Sequence, residues 1–159
     1  MAKQSYWDTA AFGKRQEYAV IAELLRRGFD VYQTLVDDKG IDCVLRVEAA
    51  SGLRYVDVQI KARSRDAGMK SWGDWPAIRV SARPNYVFIF YSEPLRKTWV
   101  VRSTEIISRA RLHKKDDLDS GYDVKLAKLR SPRGAERAFF EETPEVTEFL
   151  GAFSLLARA

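Results

Sequence analysis

Four polar residues interrupt apolar patterns in this sequence: Glu17, Asp42, Gln59 and Lys61. In RYVDVQIKARS, residues 54–64, alternate side chains of an extended strand share a face. Val56, Val58, Ile60 and Ala62 make one row, and Asp57, Gln59 and Lys61 make the other. Asp42 opens a second alternating stretch, pointing away from Ile41, Cys43, Leu45 and Val47. Glu17 falls four residues before Ile21 and seven before Leu24, on the edge of a helical apolar stripe. Burying a carboxylate and an ammonium unpaired would be expensive. With water and a divalent cation the set makes chemical sense. Carboxylate and amide oxygens suit Mg²⁺ or Mn²⁺, with waters completing the shell. Such an ion polarises a phosphate and lowers the pKa of bound water. A lysine beside it can orient or deprotonate the attacking water, or stabilise developing negative charge. The chemistry this suits is phosphodiester hydrolysis.

The elements that must position these groups can be read in order. Residues 14–27, KRQEYAVIAELLRR, predict a helix with Tyr18, Ile21, Leu24 and Leu25 at helical spacing and Gly28 as its stop. Residues 30–36 predict a first strand, and Asp37-Asp38-Lys39-Gly40 a turn. Ile41 to Glu48 is the second strand, Ala49 to Gly52 closes a hairpin, and residues 54–62 are the third strand. A turn centred near residue 51 brings position 42 level with position 60, beside Gln59 and Lys61. Residues 64–77 read as a long loop, and Ile78 to Ala82 as a short strand. YVFIFY, residues 86–91, suits a central strand buried on both faces, and KTWVVR, residues 97–102, the next one. Ser103 is placed to cap a short helix, LHKKDDLDSGYD reads as a polar connection, and Thr143-Pro144 starts a final helix. The order of helix, strands and helices predicts one α/β domain over residues 1–159, with a central mixed sheet flanked by helices.

Composition narrows the function. With one cysteine (Cys43) and one histidine (His113), a disulfide, a cysteine-rich zinc site and a Cys-His protease are set aside. No apolar run is long enough to span a bilayer and the N-terminus lacks a signal-peptide core, so a cytoplasmic protein is expected. The net charge of +5 is unevenly spread. Residues 1–62 are balanced, whereas residues 63–115 hold 12 basic and 4 acidic side chains. A basic segment directly after the polar strand is an electrostatic footprint for a polyanion. Arg63, Arg65, Lys70, Trp72, Arg79 and Arg83 are the expected nucleic-acid contacts, on DNA with RNA not set aside.

The sequence resembles the PD-(D/E)XK, or restriction-endonuclease-like, nucleases. The resemblance rests on Gly13-Lys14-Arg15-Gln16-Glu17 opening a helix, Gly40-Ile41-Asp42 at a strand start, and Val58-Gln59-Ile60-Lys61. It runs from about Phe12 to Arg102 and is shared with Holliday-junction resolvases and Mrr-like restriction domains. It implies a restriction-endonuclease-like core, Asp42 as main metal ligand, Lys61 as catalytic lysine and Glu17 as supporting glutamate. The usual acidic residue two before the lysine is Gln59, as in some homing endonucleases. A neutral carbonyl oxygen there implies lower metal affinity. Cutting two strands needs two sites, so a homodimer or homotetramer is expected.

Each residue also has a plainer reading. Glu17 could pair with Lys14, Arg15 or Lys61. Asp42 could be a turn residue. Lys61 and Asp57 could pair on the solvated face of an edge strand, while Trp72 and Trp75 could cover the core. The corresponding functions are a metal-dependent DNA endonuclease, a nucleic-acid-binding module weakened at Gln59, and a protein-interaction factor on the same fold.

Overall fold

A long helix and an antiparallel hairpin open the chain. The computed structural model describes residues 6–36, 39–49, 52–67, 72–126, 129–130 and 136–137. Helix α1 spans Tyr6–Arg26, starting well before the expected residue 14. Gly13 lies inside it, where a glycine costs only about 1 kcal/mol relative to alanine. The helix ends before Gly28, whose φ of 85° is the left-handed conformation of a helix stop.

Five strands form the central sheet in the order β1-β2-β3-β5-β6. They are β1 (Asp30–Gln33), β2 (Cys43–Ala49), β3 (Gly52–Arg63), β5 (Tyr86–Ser92) and β6 (Lys97–Arg102). β3 pairs antiparallel with β2 and parallel with β5, so the sheet is mixed and β3 is an interior strand, not an edge. β1 stops short of the expected residue 36, because Thr34 turns its hydroxyl onto the Ile41 carbonyl, 2.6 Å away. β5 is buried from Tyr86 to Phe90, as its unbroken apolar run requires.

The two faces of the sheet carry separate cores. On one, Val20, Ile21 and Leu24 of α1 pack over Cys43, Leu45, Val56, Val58 and Ile60. On the other, Tyr86, Phe88, Phe90, Trp99 and Val101 pack against Trp75, Ile78 and Val124. The last three belong to a second sheet that the sequence reading missed. It runs β4-β8-β7, from β4 (Asp74–Ile78), β7 (Arg111–Lys114) and β8 (Asp117–Lys125). The expected polar connection is thus a hairpin, and the expected strand at 78–82 lies earlier, within the expected loop. A short 3-10 turn, Arg65–Ala67, occupies another part of that loop. Both errors have one cause: this sheet buries one face only, and its residues are too polar to stand out by periodicity. Gly121 of β8 has φ 78°, and a Cβ there would stand 2.7 Å from the Ile78 carbonyl oxygen, so this close approach needs glycine.

Helix α2 spans Ser103–Arg109 beside β6. Ser103 does not cap it. Arg102 is the N-cap residue, and the Ser103 hydroxyl donates instead to the Arg83 carbonyl at 2.7 Å. Two short strands, β9 (Leu129–Arg130) and β10 (Glu136–Arg137), pair with each other. The expected final helix, Asp37, Asp38 and Lys70 lie outside the described residues.

Candidate active site

The β2–β3 hairpin brings Asp42 to Gln59. Cys43 pairs with Val58 and Ala49 with Gly52, a register that sets position 42 opposite 59, one residue from the expected level. Asp42 lies just outside β2, and its side chain extends the ladder. Its backbone N–H donates to the Val58 carbonyl at 2.9 Å, and its Oδ2 accepts the Ile60 N–H at 2.6 Å. The carboxylate is therefore fixed at the seam between the start of β2 and the interior of β3, not merely capping a turn.

Glu17 approaches this seam from the helix layer. It is 8% exposed, at the edge of the α1 stripe, and accepts a 2.6 Å ion pair from Lys14. That pair raises the Lys14 pKa through its hydrogen bond to Glu17, against desolvation, with smaller contributions from the charges of Glu17, Tyr18 and Asp42. The buried Cys43 thiol is pushed up to about 12, mainly by desolvation and further by Asp42 and Glu17. Both carboxylates therefore act on the same small region at the start of β2.

The opposite face of β3 carries the polar row. Gln59 is 8% exposed, and Lys61 is half-buried. Both line a cavity of about 850 Å³ together with Lys39, Gly40, Arg79 and Asp119. Asp42 and Glu17 are absent from its lining, so the four candidate residues do not share one pocket. Gln59 and Lys61 face the cavity, Asp42 stands at the seam and Glu17 lies on the helix side. Among the described residues, the Lys61 ammonium has no ion-pair partner. The alternative pairing of Lys61 with Asp57 does not occur: Asp57 binds Arg83 at 2.9 Å.

Gly40 makes room for the Gln59 amide. Its φ is 68°, and a Cβ there would stand 2.6 Å from Gln59 Nε2. The Tyr86 hydroxyl lies 2.9 Å from the Gly40 carbonyl oxygen and 3.1 Å from Gln59 Oε1. Arg83 covers the Tyr86 ring, with Cζ 4.1 Å from its centroid.

The donor set, two carboxylates and an amide oxygen, is of the kind a hard divalent cation takes. Among the described residues, no three His, Cys, Asp or Glu side chains cluster as metal ligands. An ion here would thus draw on Asp42 and the Gln59 amide, supported by Glu17, with water for the remainder.

Comparison with solved structures places this architecture beside the bacterial homing endonuclease I-Ssp6803I. The TM-score is 0.57, over 92% of this chain and 90% of that chain, at 19% sequence identity. The fold is nuclease-like. No family model matches the sequence. No curated protein matches it either.

The expected nucleic-acid contacts on this nuclease-like fold fall into distinct settings. Arg79 is exposed at the cavity and Arg65 is exposed beyond β3. Arg63 is half-buried, donates to the Asp74 carbonyl at 2.9 Å and lies over Trp75, with desolvation lowering its pKa against the opposing charge of Asp74. Arg83 is held between Asp57 and Tyr86. Trp72 is half-buried, while Trp75 is 3% exposed and packs 5.0 Å from Phe90, a core residue. Sequence reasoning missed Lys39 and Tyr86. The signal for Tyr86 was a phenol in a strand buried on both faces, since a buried tyrosine hydroxyl needs a partner.

Proposed function

We propose that this protein is a metal-dependent DNA endonuclease that hydrolyses phosphodiester bonds. The observation that carries the reading is the register that sets Asp42 opposite Gln59, which lines the cavity together with Lys61. The nuclease-like fold supports it. Asp42 and the Gln59 amide would hold Mg²⁺ or Mn²⁺, with Glu17 adding negative charge from the helix side. When bound, the ion supplies Lewis-acid activation of the phosphate and a more acidic water. Lys61 orients or deprotonates the attacking water, or offsets charge on the phosphate oxygens. Lys39 and Arg79 hold the DNA backbone at the cavity, and Arg65 extends that path. Cutting both strands calls for two such sites, hence a homodimer or homotetramer.

The test is cleavage of plasmid, branched and single-stranded DNA with Mg²⁺ or Mn²⁺ by wild type, Asp42→Ala and Lys61→Ala. The reading expects cleavage by wild type and loss in both variants. Equal cleavage by all three would assign the activity to another site or a contaminant.

A second reading is favoured by the neutral Gln59: a nucleic-acid-binding module with a weakened metal site. It expects salt-sensitive DNA binding without cleavage under either metal. Gain of cleavage in Gln59→Glu would locate the weakness at that position.

A further inference from the structure

The cavity beside Gln59 is lined mainly by charge of one sign. Lys39, Lys61 and Arg79 line it, and Asp119 is the one acid in its lining. Among the described residues, none of the three cations has an ion-pair partner. Unneutralised cations around one hollow attract an anion. The Gln59 amide adds to this. The Tyr86 hydroxyl bonds its Oε1 at 3.1 Å, so the Nε2 donors stand beside Gly40 at the cavity.

Arg79 reaches the cavity because β4 is irregular. Trp75 pairs with Val124 of β8 and Ile78 with Tyr122, so Pro76 and Ala77 stand opposite Asp123 alone. That is a β-bulge, and its extra residue shifts the phase of the strand. Strict alternation from the buried Trp75 would turn residues 77 and 79 toward the core and residue 78 outward. Instead Ile78 is buried, and Ala77 and Arg79 are exposed. Ala77 has φ 57°, a left-handed backbone that is strained for a residue with a Cβ. Its N–H donates to Asp123 Oδ1 at 3.3 Å, and Gly121 leaves room for its carbonyl. Strain of this kind persists only where the surroundings hold it, and it clusters at functional sites.

The remaining lining is not ionic. Ile78, Val80 and Leu118 supply apolar surface, and Ser81 a hydroxyl. The volume, about 850 Å³, lies in the range of about 300–1,000 Å³ usual for small-molecule sites. A bare phosphate would leave the apolar side of such a cavity unused. An anion carrying a flat heterocycle would use both sides.

We infer that the cavity takes one unpaired nucleotide of a DNA strand, its phosphate on Lys39, Lys61 and Arg79 and its base against Ile78, Val80 and Leu118. The inference rests on the DNA substrate of the endonuclease reading and narrows it to DNA with an unpaired or extruded nucleotide. A base inside a duplex is stacked and paired, and must leave the stack before it can enter a pocket. The second sheet, which supplies Arg79 and Leu118, is then the part of the molecule that selects DNA structure.

The experiment is fluorescence anisotropy on the full chain in EDTA, with two labelled duplexes of one sequence, one blunt and one carrying a single bulged nucleotide. Extruding a paired base costs energy that a bulged one has already spent, so wild type should bind the bulged duplex at least about 10-fold more tightly. Ser81→Trp fills the cavity from an exposed wall position and should cut that preference to less than about 2-fold. Should Ser81→Trp fail to melt cooperatively, Leu118→Trp fills the cavity from β8, with the same loss expected. Equal affinity of wild type for the two duplexes, or a preference that survives the filling, overturns the inference. Cleavage of the same duplexes with Mn²⁺ is scored separately. Cleavage without a binding preference leaves the endonuclease reading and removes the inference. A preference that the filling abolishes, with no cleavage under Mg²⁺ or Mn²⁺, keeps the cavity assignment and removes the endonuclease reading.

Discussion

The proposed mechanism gives Asp42 and Lys61 different duties, and their substitutions should separate. Asp42→Ala removes a carboxylate that also accepts the Ile60 N–H, so it should abolish detectable Mn²⁺ binding in calorimetry as well as cleavage. Lys61→Ala should leave Mn²⁺ affinity close to wild type while lowering kcat by about 10²–10⁴-fold, the usual range for a proton-transfer group. Lys14 is exposed but Glu17 is buried, so Lys14→Ala takes the ion-pair partner from a buried carboxylate and should lower stability by about 1–3 kcal/mol in thermal melts. Glu17, Asp42, Gln59 and Lys61 were legible because each is polar where its neighbours set an apolar rhythm. Tyr86 was not, because an aromatic ring satisfies that rhythm while its hydroxyl acts outside it. Lys39 sat in an apparent turn, where a charged residue carries no signal.

At the scale of elements, the hairpin register decides what meets what. A one-residue slip would turn Gln59 and Lys61 into the helix core and bring Val58 and Ile60 to the cavity. Gly40 guards this geometry with its left-handed backbone and its missing Cβ. Gly40→Ala should cost about 1–2 kcal/mol of stability in denaturant titration from backbone strain. It should also weaken Mn²⁺ binding, because the new methyl meets the Gln59 amide. Phe88→Ala, at a fully buried position between the sheets, should cost about 3–5 kcal/mol in the same titration. The hairpin, β5 and β6 were readable from strict alternation or unbroken apolarity. The β4-β8-β7 sheet was hidden because it is half solvated and its hairpin is rich in Lys and Asp. Helix α1 was read too short because Gly13 looked like a boundary, whereas the helix runs through it at the modest cost of one glycine.

For the molecule as a whole, charge and burial make two further expectations. If Arg79 contacts phosphate, Arg79→Ala should weaken DNA binding about equally across sequences and reduce the slope of log K against log salt by about 1. The Cys43 thiol, with an ordinary pKa of 9.0 raised to about 12, keeps its proton in the folded chain after the unfolded chain has lost it. The folded state thus binds more protons across that window, and its stability falls as pH rises from 9.0 to about 12. No helix among the described residues is long and apolar enough to cross a membrane. The measurement that tests the central claim most directly is an anomalous difference map from crystals grown with Mn²⁺. The account predicts a peak within coordination distance of an Asp42 carboxylate oxygen and the Gln59 carbonyl oxygen, on the side of the cavity that holds Lys61. A well-occupied Mn²⁺ bound elsewhere, with Asp42 and Gln59 untouched, would contradict it.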